Sequence, residues 1–187
     1  MNRAPLIVLA LIATAYAGVT LLIRYSKPEM AQAQTLSRPA IHYAPAENLE
    51  HIDVALIDGA QREIDLAAYV LTDWPVLQAL TRAADRGVKL RIYLDGGQID
   101  QRVPTRPFED LAATPDVEIR VKPARAPLMH LKSYQIDGRI LRAGAANLSA
   151  SGLKQQDNDL IVVESAEAAA KFKRNFEAIW TRGEALR

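Results

Sequence analysis

The stretch His130-Leu-Lys132-Ser-Tyr-Gln-Ile-Asp137-Gly138-Arg-Ile-Leu-Arg-Ala-Gly144-Ala145-Ala-Asn147-Leu-Ser149 decides how this chain is read. Leu131 to Ile136 has the character of a strand, in which side chains two apart point the same way, so His130 and Lys132 share a face and can reach one anion. Asp137-Gly138 is a hairpin turn signal, which makes Arg139 to Ala143 the returning strand. Gly144 then allows close backbone approach, and Asn147 can offer amide donors to an oxyanion.

The chemistry suits attack on phosphorus. A neutral imidazole is a good nucleophile near neutral pH, and an ammonium two residues away can hold non-bridging phosphate oxygens. The His, Lys and Asp alone would fall at this spacing by chance in roughly one chain of this length in a hundred. Gly144 and Asn147 at suitable distances make accident rarer still.

His-x-Lys-x4-Asp followed by Gly-x-x-Asn resembles the signature of the phospholipase D superfamily. A single copy per chain is similar to the small bacterial endonucleases of that superfamily, in which two chains make one site, and to its membrane-anchored mitochondrial members. Ile41-His-Tyr-Ala-Pro45, Glu63-Ile-Asp-Leu-Ala-Ala-Tyr69 and Arg86-Gly-Val-Lys-Leu-Arg-Ile-Tyr-Leu94 extend the resemblance from about Ile41 to Trp180. It implies that His130 forms a phosphohistidine and that Lys132 and Asn147 bind phosphoryl oxygens, with Gly144 and Ser149 on the same substrate-binding side. His130 of a second chain would protonate the leaving oxygen and then activate water. Asp137, the third motif residue, is expected to serve the turn more than the chemistry. Two departures stand out. Ala145 replaces the usual Ser, and the run Gln156-Asp157-Asn158-Asp159 lacks the Glu that orients the histidine, a role left to Asp157 or Asp159 with Asn158 between them.

No metal site or cofactor motif is visible: the chain has no cysteine, no His pair one helical turn apart and no Asp cluster tied to a histidine. Without a metal, phosphoryl transfer needs protein cations and an acid. One histidine does not readily serve as nucleophile and general acid in the same step, so a homodimer with a shared site is expected.

Residues Ala4 to Ile23 form an uncharged 20-residue run between Arg3 and Arg24, long enough to span a bilayer. Ala31-Gln32-Ala33 is a plausible cleavage site, but it lies about eight residues past the apolar run, which favours an uncleaved anchor over a signal peptide. The expected organisation is an anchor or signal at 1–24, a linker at 25–40 and a phosphodiesterase domain at 41–187. The domain is expected to be exported, held at the inner membrane facing the periplasm or released there. Beyond Ala33 the chain carries 20 basic and 21 acidic residues, which argues mildly against a dedicated nucleic-acid binder. Between Arg120 and Arg142, however, six basic residues face Asp137 alone, a net +5 suited to guiding a polyanion. Nucleic acid is therefore favoured slightly as substrate, with phospholipid headgroups as the rival. A tethered binding module with little turnover is the third possibility, motivated by Ala145 and the missing Glu.

The remaining pattern alternates strand and helix. Helices are expected from Pro45 to Asp58, from Pro75 to Gly87, and after Ser165, the last placing Phe172, Phe176, Ile179 and Trp180 inward. Strands are expected at Glu63–Val70, Val88–Leu94, Val117–Val121 and Asp159–Val163, with a long loop from Asp95 to Pro115. His42 and His51 are isolated and not expected to be catalytic. The sum is an α/β layered domain with a mixed, largely buried β-sheet flanked by helices, preceded by an N-terminal hydrophobic helix.

Overall fold

The structure, a computed structural model, describes residues 38–98, 110–123 and 125–186. The apolar run at 4–23 and most of the expected loop lie outside these residues. Among the described residues no helix is long and apolar enough to cross a membrane.

Eight strands form one mixed sheet in the order β1-β7-β6-β5-β2-β3-β4-β8. They are β1 (Ala40–Ala44), β2 (Glu63–Ala68), β3 (Lys89–Asp95), β4 (Val117–Lys122), β5 (Lys132–Ile136), β6 (Ile140–Ala143), β7 (Asn158–Glu164) and β8 (Glu184–Ala185). β2, β3 and β4 run parallel, while β5 joins β2 antiparallel with Lys132 opposite Ala68. The expected mixed sheet flanked by helices is thus present, with β2 and β5 buried almost throughout.

Among the described residues the sheet is covered by α1 (Leu49–Asp58), α2 (Trp74–Asp85), α3 (Ala150–Lys154) and α4 (Ala166–Trp180). Alternation along each strand divides the core. Ile64, Leu66 and Ala68 of β2 join Leu90, Ile92, Tyr134 and Ile136 beneath α1, α2 and α3. On the opposite face Ala67 and Tyr93 meet Phe176 and Trp180 of α4, with Phe172 and Ile179 packed alongside, as their helical spacing predicts.

The caps explain most boundaries. Asp73 accepts from the Val76 N–H, and Pro75 in the first turn needs no donor, so α2 starts one residue before the expected Pro75. The Ser165 hydroxyl accepts from Ala168, as expected. The expected start of α1 at Pro45 is corrected: Asn48 accepts from the Glu50 N–H and the helix begins at Leu49. On its inner face Ile52 and Leu56 are partly buried and pack against the core. Leu49 and Ile57 are buried, but between them lie Glu50 and a fully buried Asp53. β1, β8 and α3 were not anticipated, and β1 begins within the segment expected to be linker.

Candidate functional site

At the β5–β6 hairpin Asp137 has φ 56° and Gly138 φ 65°, the two left-handed residues that a tight type I′ turn requires. The Asp137 carboxylate reaches across to β2, where it accepts backbone N–H bonds from Gln61 at 3.0 Å, Arg62 at 2.8 Å and Glu63 at 3.0 Å. It closes the turn end of the sheet, as expected, and its carboxylate is committed to that task.

The other end of β5 carries the expected nucleophile and cation. His130 is exposed, just before the strand, whereas Lys132 is only 6% exposed. The Lys132 Nζ donates to the His130 carbonyl oxygen at 2.9 Å. Among the described residues it has no carboxylate partner, and neither His130 ring nitrogen is hydrogen-bonded. Burial lowers the Lys132 pKa from its ordinary value, and the Arg142 guanidinium lowers it further. A buried cation with no carboxylate partner among the described residues has the chemistry to take an anionic ligand.

Tyr69 joins the two residues. Its ring centroid lies 4.7 Å from that of His130 and 5.1 Å from the Lys132 Nζ. Its hydroxyl accepts a 2.8 Å bond from Gln98, and its N–H donates to the Leu131 carbonyl. One aromatic face thus buttresses the imidazole and covers the ammonium. Sequence reasoning quoted Tyr69 without giving it this place; the signal was its position at the end of the strand that pairs with β5.

Gly144, Ala145 and Asn147 line the return from β6. Gly144 has φ 138°, and a Cβ there would lie 2.5 Å from the Asp159 carbonyl oxygen, so this position needs glycine. The Ala145 N–H donates to the Asp159 carboxylate at 2.8 Å. Among the described residues the Asn147 Oδ1 is buried without a hydrogen-bond donor, so the amide has a polar atom that the fold itself does not satisfy. The Ser149 hydroxyl, by contrast, accepts from Gly152 N–H as the cap of α3.

Of the three candidates for orienting the histidine, Asp159 holds the Ala145 loop and Asn158 donates to the Gly152 carbonyl at 2.8 Å. Asp157 is exposed. Together they line an open hollow of about 470 Å³ with Tyr43, Ala44 and Ala145. Elsewhere His42 sits 2.7 Å from Glu47 and His51 is exposed on α1. Among the described residues no group of three or more His, Asp or Glu could hold a metal ion.

The basic run is smaller at the surface than in the sequence. Arg142 is fully buried against Asp53, and Arg120 lies over the Trp180 ring at 4.6 Å while donating to its carbonyl. Arg125 and Arg139 are exposed and Lys122 partly so.

Comparison with known proteins gives the same picture. The family described as "Cardiolipin synthase, PLD-like domain" matches residues 54–180. A phospholipase D of Rickettsia conorii is 32% identical over 120 residues, 64% of this chain and 58% of that relative. A mitochondrial cardiolipin hydrolase of Drosophila melanogaster is 30% identical over 147 residues, 68% of this chain and 56% of the relative. The chain therefore spans less than two thirds of the length of these relatives. The crystal structure of Nuc from Salmonella typhimurium, a phospholipase D family member, superposes with a TM-score of 0.73 at 22% identity, covering 80% of this chain and 99% of that one. A match of the family over two thirds of the sequence, carried by this hairpin and this sheet, places the chain in the PLD-like family of the phospholipase D superfamily.

Proposed function

We propose that the protein is a phosphodiester hydrolase that works through a phosphohistidine at His130. The observation that carries this is the exposed imidazole beside a buried Lys132 ammonium that no carboxylate among the described residues neutralises. His130 attacks phosphorus as the P–O bond to the leaving alkoxide breaks, and Lys132 and Asn147 hold the non-bridging oxygens. The leaving oxygen takes its proton from a second imidazole. Water then attacks phosphorus, that imidazole accepting its proton, and the P–N bond breaks to release His130. The second imidazole is His130 of another copy, since neither His42 nor His51 stands in this site; the working form is a homodimer about a two-fold axis near His130. Mixing His130→Ala chains with wild type is expected to give heterodimers at least about tenfold less active than wild type, as each site then lacks its nucleophile or its acid. Fully active heterodimers would exclude the shared site.

Nucleic acid is the substrate favoured by Lys122 and Arg125, cations at the same end of the sheet as Lys132. Leu128, 59% exposed two residues before His130, favours the second reading, a phospholipid headgroup at a bilayer surface. Tethering through residues 4–23 on the exported side belongs to the same proposal and would serve either substrate. Hydrolysis of single-stranded DNA, RNA and phospholipid vesicles in excess chelator separates them. The nuclease reading predicts that nucleic acid is cut; cleavage of vesicles alone would overturn it in favour of the lipid.

A further inference from the structure

The β5–β6 ladder ends two pairs short of Lys132. Ile136 faces Ile140, Gln135 faces Leu141 and Tyr134 faces Arg142, but Gly144 turns toward Asp159 instead of continuing opposite Lys132. Backbone pairing therefore stops where Lys132 and the Asn147 loop must be held together. The Arg142 side chain fills that gap. Its Nη1 donates to the Lys132 carbonyl at 2.7 Å and to the Ala146 carbonyl at 3.3 Å, while its Nη2 lies 3.4 Å from the latter. The guanidinium is itself fixed by two 2.9 Å bonds to Asp53 of α1, and Asp53 also accepts the Tyr134 hydroxyl at 2.7 Å. Arg142 and Asp53 are both fully buried.

We propose that Arg142 is a positioning residue for the reaction. Its fork sets the separation between Lys132 and Asn147, the two groups proposed to hold the phosphoryl oxygens, and Asp53 holds the fork. This rests on the functional reading of His130 and Lys132 given above. A planar guanidinium suits the task because it can accept a bidentate carboxylate on one edge and present donors to two carbonyls on another. Its charge has a second consequence. Lys132 faces the Tyr69 ring at the end of β2, the imidazole of His130, and Arg142 on β6 with Asp53 of α1 behind it; among these Arg142 is the cation that opposes protonation of Lys132.

The test uses the full chain with bis-p-nitrophenyl phosphate in excess chelator, following kcat, KM and the alkaline limb of kcat/KM. Arg142→Lys keeps the charge but loses the fork. It is expected to lower kcat roughly 10- to 100-fold, the scale of a small misplacement of reacting groups, with KM within about threefold and the alkaline limb unmoved. A triple variant, Asp53→Leu, Tyr134→Phe and Arg142→Met, replaces the buried network with apolar groups, a change that is often tolerated in the fold. It is expected to lose kcat similarly while its alkaline limb moves to higher pH, because the charge opposing Lys132 is gone. Wild-type kcat in Arg142→Lys, or an unmoved limb in the triple variant, would overturn the proposal. Activity that persists in His130→Ala would instead overturn the reading on which it rests.

Discussion

His130→Ala is expected to lower kcat for bis-p-nitrophenyl phosphate by roughly 10⁴- to 10⁶-fold in excess chelator, the range typical when a nucleophile is lost and the binding groups remain. The structure makes this a clean deletion. The imidazole is exposed and makes no hydrogen bond among the described residues, so its removal opens no cavity and strands no buried polar group. Lys132 and Asn147 stay in place, because the bonds that hold their backbone come from Arg142 and the sheet. KM is therefore expected to change little and the melting temperature to be nearly that of wild type. Steady-state kinetics on the purified full chain, with thermal melting alongside, checks all three. Activity within tenfold of wild type would mean that a different group attacks phosphorus.

What the sequence made legible, and what it hid, follows from the range of the interactions involved. The hairpin could be read because the Asp137-Gly138 turn imposes its own backbone angles on adjacent residues. The Ser165 cap and the inward stripe of α4 are local in the same sense. The strands β2, β3 and β4 declared themselves as apolar runs. β1 did not, since Ile41 and Tyr43 are exposed and the segment becomes a strand only by pairing with β7, more than a hundred residues away. The departures at the end of the motif were legible, but the contact between them was hidden. Asp159 reaches the Ala145 N–H because the β6–β7 register sets Ala143 opposite Ile161, which no spacing along the chain reveals. Tyr69 and Arg142 take their places beside His130 and beneath Lys132 through strand pairing, which no local pattern encodes. Arg142 in particular was counted toward a basic surface, when its charge is matched inside the core by Asp53.

Asp53 gives the largest effect expected on stability. Read along the chain it is one of four polar residues of α1, with Glu50, His51 and Asp58, and a helical pattern assigns it no task. In the fold it receives Arg142 Nε and Nη2 and the Tyr134 hydroxyl at full burial. Asp53→Ala removes all three acceptances at once, leaving a guanidinium without its counter-ion and a phenol without its partner in the core. Breaking a buried pair on one side costs about 3–5 kcal/mol, more than the pair is worth against an apolar replacement of both residues. For a domain of this size that cost is expected to lower the melting temperature by roughly 6–20 °C. The contrast is Asp58, whose bonds to Arg82 at 3.0 and 2.8 Å are as short but half exposed. Solvent screens that pair, so Asp58→Ala is expected to cost no more than about 1 kcal/mol. Urea unfolding of the two variants beside wild type decides the matter: a cost at Asp53 no greater than at Asp58 would mean that the α1–β6 network adds nothing beyond a surface ion pair. A large difference would mean that α1 fixes the β6 side chain that bonds the Lys132 carbonyl, and with it the end of β5.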